Sequence, residues 1–288
     1  MAHSKMTCCI AGINFEFCNL GADEFNVNFL PFVCPAPVDI SSKERCSVTV
    51  VGANRALCGQ RSDKAWSFKD QDGLATLSAA NPDGELLWRM TGHIPYEALT
   101  FEWNPDTFFD VYNDEHRGPY GIIAVLALVL RLLYLKGIVL HCSASVVDGV
   151  GIICTGRSGQ GKSTISAILD KAGIPVLTDE RAIIRVEASG LRVYGSPWPS
   201  SGEFVLNSSA PLKKIYFIEH GLKNEVIPIA KGEALKRLLD VVMIPWMNSA
   251  FFDPVIEVLE KTVGDLSHAV LRFVPDGNVV DFIKADLL

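Results

Sequence analysis

Short runs of apolar and polar residues alternate through the first hundred positions. "INFEFCNL", "FNVNFL", "CSVTVVG", "WSFKD", "LATLSA", "ELLWRM" and "LTFEW" are each of strand length, and Asn, Asp, Gly and Pro separate them. The pattern predicts a strand-rich N-terminal domain over residues 1–112, without internal repeat. A turn-rich, charged segment, "NPDTFFDVYNDEHRGPYG", marks its end. The apolar stretch "GIIAVLALVLRLLYLKGIVL" then predicts a helix, buried on most sides, running to about Leu135. Arg131 and Lys136 suit the negative end of its dipole, and Gly137 stops it. The same three residues interrupt the run too often for a membrane span of about 20 largely uncharged residues.

The second domain, residues 113–288, changes rhythm. "GIVLHCSASVVDGVGIICTG" is two apolar strands joined at Asp148-Gly149, a pair that favours a tight hairpin turn. "KSTISAILDKAG" carries Ile165, Ile168 and Leu169 at helical spacing and ends on Gly173. "GIPVLTDERAIIRV" is a strand closing on Asp179 and Glu180, placed level with the preceding glycine-rich loop in a doubly laid α/β arrangement. Gly195 to Gly202 form a Pro-, Ser- and Gly-rich loop, either a substrate lid or a connection whose Trp198 packs on the core. A strand from Lys213 to Glu219, amphipathic helices in "GEALKRLLDVVMI" and "DPVIEVLEKTV", and a last strand in "HAVLRFVPDG" complete the α/β pattern.

Between the hairpin and the helix lies the chemistry. Gly156-Arg157-Ser158-Gly159-Gln160-Gly161-Lys162-Ser163, followed by Thr164, fits G-x-x-x-x-G-K-S/T at every specified position and stands between a strand and a helix, as a Walker A loop must. Such a loop curls so that backbone N–H groups point at phosphate oxygens, with the helix N-terminus adding its positive end. Lys162 would reach the β- and γ-phosphates and Ser163 would hold Mg²⁺. Asp179 and Glu180 supply carboxylates: adjacent strand residues point to opposite faces, so one can face the phosphates while the other turns toward metal or structure. His141, Arg157 and Glu203 are further candidates for the site.

Composition narrows the partners. The 288 residues are 49% hydrophobic and 20% charged with a formal charge of -7, which is globular and offers no long-range attraction to nucleic acid or an anionic membrane. The first residues lack the basic region, apolar run and cleavage site of a secretory leader, so a cytoplasmic chain with reduced thiols is expected. None of its eight cysteines forms a C-x-x-C pair, so they are expected to be small buried residues rather than metal ligands.

Three blocks in order, "VLHCSASVVDGVGIICTGRSGQGKST", "GIPVLTDERAII" and "GSPWPSSGEFVLNSSAPLKKIYFIEHG", resemble the HPr kinase/phosphorylase superfamily, whose P-loop domain is related to phosphoenolpyruvate carboxykinase. The resemblance spans residues 117–288, and its third block looks like the HPr-kinase-like proteins that include lasso-peptide precursor kinases. It implies a P-loop kinase fold in which Asp179 removes the proton from an acceptor serine, His141 sits beside that acid, and Glu180 stands where the family has a second aspartate. The family's Glu-x-Arg-Gly-x-Gly segment is not recognisable.

The expectation is an ATP- and Mg²⁺-dependent kinase, ATP being replaceable by another nucleoside triphosphate, acting on a hydroxyl, foremost a serine of a peptide or protein. A small-molecule kinase and a nucleotide-sensing regulatory module are the alternatives; a pure sensor has no need of a base. The N-terminal domain is expected to bind or order the acceptor, or to mediate self-association into a homo-oligomer.

Overall fold

The computed structural model describes residues 5–20, 27–34, 44–108 and 121–288, and they form a mixed α/β protein of two β-sheets with few helices. The chain divides into two compact units, Met1–Leu135 with Pro245–Ala250, and Lys136–Ile244 with Phe251–Leu288.

The first unit holds β1 (Lys5–Ile10), β2 (Ile13–Cys18), β3 (Arg45–Ala53), β4 (Trp66–Gln71), β5 (Leu74–Ala80), β6 (Leu86–His93) and β7 (Ala98–Trp103). They form one seven-stranded sheet in the order β1-β2-β3-β7-β6-β5-β4. Alternation gives β2, β3, β6 and β7 one apolar face each: Phe15 and Phe17, Val48 and Val50, Trp88 and Met90, and Leu99 and Phe101 are all buried. "FNVNFL" departs from the expected strand. Its described residues, 27–30, lie in a 3-10 helix, Val27–Phe32, with Pro31 inside it. Phe29 and Phe32, three residues apart, are its buried side chains, which suits three residues per turn and not alternation.

The expected domain boundary near residue 112 lies outside the described residues, and the compact division falls after Leu135 instead. Helix α1 (Gly121–Leu132) therefore groups with the N-terminal sheet. Arg131 explains why. It is only 1% exposed, and its guanidinium donates to the carbonyls of Arg45 and Pro95, both at 2.9 Å, and to Glu97 at 3.3 Å. A buried guanidinium needs such partners, so this arginine, in the last turn of α1 as expected, also ties the helix to the sheet. The helix also ends sooner, at Leu132, and the left-handed residue before the next strand is Lys136 (φ 51°), not Gly137.

The second unit contains β8 (Gly137–Val147), β9 (Val150–Thr155), α2 (Lys162–Lys171), β10 (Val176–Thr178), β11 (Arg181–Glu187), β12 (Gly190–Tyr194), β13 (Ser209–His220), β14 (Glu225–Pro228), α3 (Lys231–Leu239), α4 (Phe252–Asp265), β15 (Ser267–Phe273) and α5 (Val279–Leu287). Asp148 (φ 47°) and Gly149 (φ 83°) both turn left-handed, as a two-residue hairpin requires, and set β9 antiparallel to β8. Only β13 with β9 and β13 with β15 are parallel. The doubly laid α/β arrangement expected around the loop is met only in part: strand, loop and helix follow one another, but most pairings are antiparallel, because the short β8–β9 and β11–β12 connections leave room for antiparallel pairing alone. Pairings run in a closed circuit from β8 to β11, β12, β13, β9 and back to β8.

Ile165 and Leu169 of α2 and Val279 and Ile283 of α5 join Ile152, Tyr216 and Leu271 in one core. Each fully buried aliphatic side chain contributes about 1.5–3 kcal/mol. That packing fixes α2, and hence the loop that feeds it.

Candidate phosphate-transfer site

Strand β9 ends at Thr155, the glycine-rich loop occupies residues 156–161, and α2 starts at Lys162. Gly159 (φ 82°) and Gly161 (φ 97°) hold left-handed conformations that other residues adopt only with strain. At Gly161 a Cβ would also press on the Phe273 ring at 3.0 Å. Gly156 is required for a different reason: a Cβ there would lie 2.3 Å from the Gln160 side-chain oxygen and 3.2 Å from the Ile218 carbonyl. That oxygen accepts from the Arg157 N–H, so Gln160 braces the loop from within. His220, at the end of β13, lies with Nε2 2.9 Å from the Gly159 carbonyl.

Lys162 is buried, and its ammonium donates to the carbonyls of Gly156 at 3.0 Å and Arg157 at 3.5 Å. Burial lowers its pKa and the neighbouring Glu180 carboxylate raises it. An ammonium satisfied by loop carbonyls can exchange them for phosphate oxygens, and the glycines keep N–H groups free of Cβ obstruction. The loop therefore fits a nucleoside triphosphate. Ser158 and Thr164 are exposed, and Ser163 is half-buried in the first turn of α2.

Strand β8 is held against α2 by two hydroxyls: Ser143 and Ser166 are 2.6 Å apart, and Ser166 also donates to the Lys162 carbonyl at 2.9 Å. Side chains two apart on a strand share a face, so His141 points to the same side as Ser143, toward the loop end of α2. The Thr155 hydroxyl donates to the His141 carbonyl at 3.1 Å, tying β9 to the same point. Across β8, Arg181 of β11 is the register partner of His141, and the Cys142 N–H donates to the Glu180 carbonyl at 3.0 Å. These bonds bring the Glu180 carboxylate to 3.5 Å from His141 Nδ1 and 3.6 Å from the Arg181 guanidinium.

The two adjacent acids do part company, as their spacing predicts, but the resemblance assigned their surroundings the other way round. Glu180, not Asp179, is the carboxylate found beside the His141 ring. Asp179 is 1% exposed, and its two oxygens each accept a backbone N–H at 2.9 Å, from Ser200 and Gly202. Burial raises its pKa and the two N–H bonds lower it. Asp179 thereby pins the Gly195–Gly202 loop. Glycine is needed at 202 because a Cβ there would lie 2.4 Å from the Asp179 carboxylate. In the same loop Ser196 donates to the Arg181 carbonyl at 2.6 Å and Trp198 is 1% exposed, so its first half is core and not lid. Glu203 is exposed at a left-handed position (φ 57°).

His141 is 40% exposed in its side chain, while Glu180 is 15% exposed. Burial lowers the His141 pKa first; Glu180 raises it, and Lys162 and Arg181 lower it further. A carboxylate beside a neutral imidazole, next to the lysine of the glycine-rich loop, can accept a proton. No group of three or more His, Cys, Asp or Glu side chains able to hold a metal occurs among the described residues. Mg²⁺ bound with a nucleotide needs only one or two protein oxygens beside phosphates and water; Ser163, in the first turn after the loop, is a residue of that type, and Glu180 another. Of the cysteines, Cys8, Cys46, Cys142 and Cys154 are buried, and burial pushes the Cys142 thiol up to about 12.

A cavity of about 320 Å³ opens beside the loop, walled by Thr155, Gly156 and Arg157 on one side and by Lys236, Arg237 and Asp240 on the other. Sequence reasoning missed this wall, along with Gln160's bracing role, His220 and the Ser143–Ser166 contact. Only the "IEHG" strand end, falling level with the loop, offered a signal for His220. No protein-family model matches the chain, and no curated protein matches it.

Proposed function

We propose that the second unit is a P-loop kinase domain of the HPr-kinase type that transfers the γ-phosphoryl group of ATP, with Mg²⁺, to a hydroxyl, foremost a serine of a peptide or protein. The observation that carries this reading is the His141–Glu180 pair set beside Lys162 of a fully formed Walker A loop. A module that only senses nucleotide would not need a proton acceptor at that end of the cradle.

In the transfer, the acceptor oxygen forms a bond to the γ-phosphorus, the bond from that phosphorus to the β,γ-bridging oxygen breaks, and ADP leaves. The acceptor proton passes to Glu180, whose carboxylate His141 and Arg181 orient. Lys162 spreads its charge over the β- and γ-oxygens. Mg²⁺ would supply further charge neutralisation, with Ser163 as an oxygen on the protein side. Positioning and charge account for most of the rate in such chemistry. Asp179 acts here as a positioning residue that fixes the Ser200–Gly202 turn.

The test is titration calorimetry with Mg·ATP on the full chain. Wild type should bind at micromolar to millimolar concentrations, and Lys162→Ala should lose at least tenfold in affinity while its circular dichroism stays unchanged. Absence of Mg²⁺-dependent binding by the wild-type protein at millimolar nucleotide overturns the reading.

A further inference from the structure

The cavity beside the loop carries a statement about the acceptor, resting on the kinase reading above. Its position comes first. The carbonyls of Gly156 and Arg157, both in its wall, are the ones that hold the Lys162 ammonium. The lysine of a Walker A loop reaches the β- and γ-phosphates, so the cavity opens at the γ end of the cradle, where an acceptor must arrive.

Its charges come second. Arg237 is committed: it pairs with Glu219 at 3.1 Å and Glu233 at 2.8 Å and lies over the Phe217 ring at 5.6 Å. Glu219 is taken a second time by Arg272 at 3.3 Å. Arg157, Lys236 and Asp240 also line the cavity, are exposed, and make no side-chain ion pair among the described residues. Two uncommitted cations and one uncommitted anion therefore face a volume of about 320 Å³, at the small end of the roughly 300–1,000 Å³ of ligand sites. That space admits a group the size of one or two amino-acid residues, not a folded surface.

We propose that this cavity seats a carboxylate carried beside the acceptor hydroxyl. Lys236 and Arg157 bind the carboxylate, and Asp240 accepts an N–H or ammonium of the same compound. The shared chemistry, hydroxyl next to carboxylate, occurs in a serine flanked by an acidic residue and in a free hydroxy-amino acid. Opposite charges held in register across a binding site chiefly set specificity.

The experiment measures kcat/KM for phosphoryl transfer from Mg·ATP by the full chain to two matched pairs of acceptors. One pair is acetyl-Gly-Glu-Ser-Gly-amide and acetyl-Gly-Lys-Ser-Gly-amide; the other is L-serine and L-serinamide. Wild type should prefer the carboxylate-bearing member of at least one pair by about tenfold or more, and the productive pair identifies the source. Lys236→Glu should abolish or invert that preference. Equal rates within both pairs, a preference that Lys236→Glu leaves in place, or no transfer to any of the four overturns the proposal. Slow Mg²⁺-dependent release of phosphate from ATP to water by the full chain, lost in Glu180→Gln, reports on the kinase reading without any of these acceptors, so the two failures are distinguishable.

Discussion

The two units bury their polar groups in different ways. Among the described residues, the first unit buries Asn14, Ser78, Asn104 and Arg131, and the second buries Ser143, Thr155, Lys162, Ser166, Thr178, Asp179 and several more. In the first, each bond seen is structural: Arg131 closes three acceptors, and Asn104 donates to the Leu86 carbonyl at 2.9 Å. Its apolar core carries a run of aromatic contacts, with Trp88 against Phe101 and Trp66, and Phe108 against Phe101 and Trp103. In the second, Ser143, Thr155, Lys162, Ser166, Thr178 and Asp179 gather around the glycine-rich loop and the end of β10, while Lys214 and Thr262 are satisfied elsewhere, by Asp286 and the Val258 carbonyl. Desolvating polar groups costs free energy that packing alone would avoid, and that cost is concentrated where phosphoryl transfer would use it.

The sharpest way to break this contrast is to exchange the two adjacent acids one at a time. Glu180→Gln removes the proposed base and should lower kcat by about 10² to 10⁴, or about 3–5 kcal/mol of barrier, with Mg·ATP affinity changed far less. Asp179→Asn leaves Glu180 in place but turns an amide NH₂ toward one of the two N–H donors of Ser200 and Gly202. It should cost less in kcat and instead speed hydrogen exchange at those two amides. A larger kcat loss in Asp179→Asn than in Glu180→Gln would return the base to Asp179.

Much of this site was legible in the sequence. Walker A spacing specifies backbone geometry directly, since glycines at fixed offsets permit the left-handed turns seen at Gly159 and Gly161, and Asp148-Gly149 encodes its hairpin just as locally. Local signals failed where the outcome depended on distant partners. Which of Asp179 and Glu180 meets His141 is settled by the β8–β11 register and by a turn more than twenty residues onward in the chain. The place of Arg131 at the helix end was legible, but its burial was not, because the three partners seen among the described residues lie at least 34 residues away. The pairing of β8 with β11 and the wall formed by α3 are likewise non-local.

Arg131 sharpens the other side of the contrast. Arg131→Ala would leave the carbonyls of Arg45 and Pro95 without their donor, and breaking such a buried cluster costs about 3–5 kcal/mol. Scanning calorimetry should show the loss as a lower transition for the first unit. If that unit serves acceptor binding or assembly and not the phosphate cradle, Mg·ATP affinity measured below the transition should match wild type. A parallel fall in nucleotide affinity would show that its role is not separable from the cradle.

The smallest expected effect is the most specific to the site's electrostatics. Burial and the charges of Lys162 and Arg181 hold the His141 pKa below its usual 6.5, against the pull of Glu180. Because the folded value is depressed, the folded state binds fewer protons than the unfolded one in that window. Its contribution to stability is complete above pH 6.5 and is lost as pH falls through 6.5 toward the folded value. The neutral imidazole that supports Glu180 persists to the same lower pH, so kcat should rise with pH on a limb whose midpoint lies below 6.5 and then level off. Since His141 and Glu180 interact, that midpoint belongs to the pair. His141→Asn should lower the plateau by about tenfold, corresponding to 1.36 kcal/mol, and should move or flatten the acid limb. A variant that loses rate but keeps the wild-type limb would make His141 a packing residue of β8 and leave Glu180 oriented by Arg181 alone.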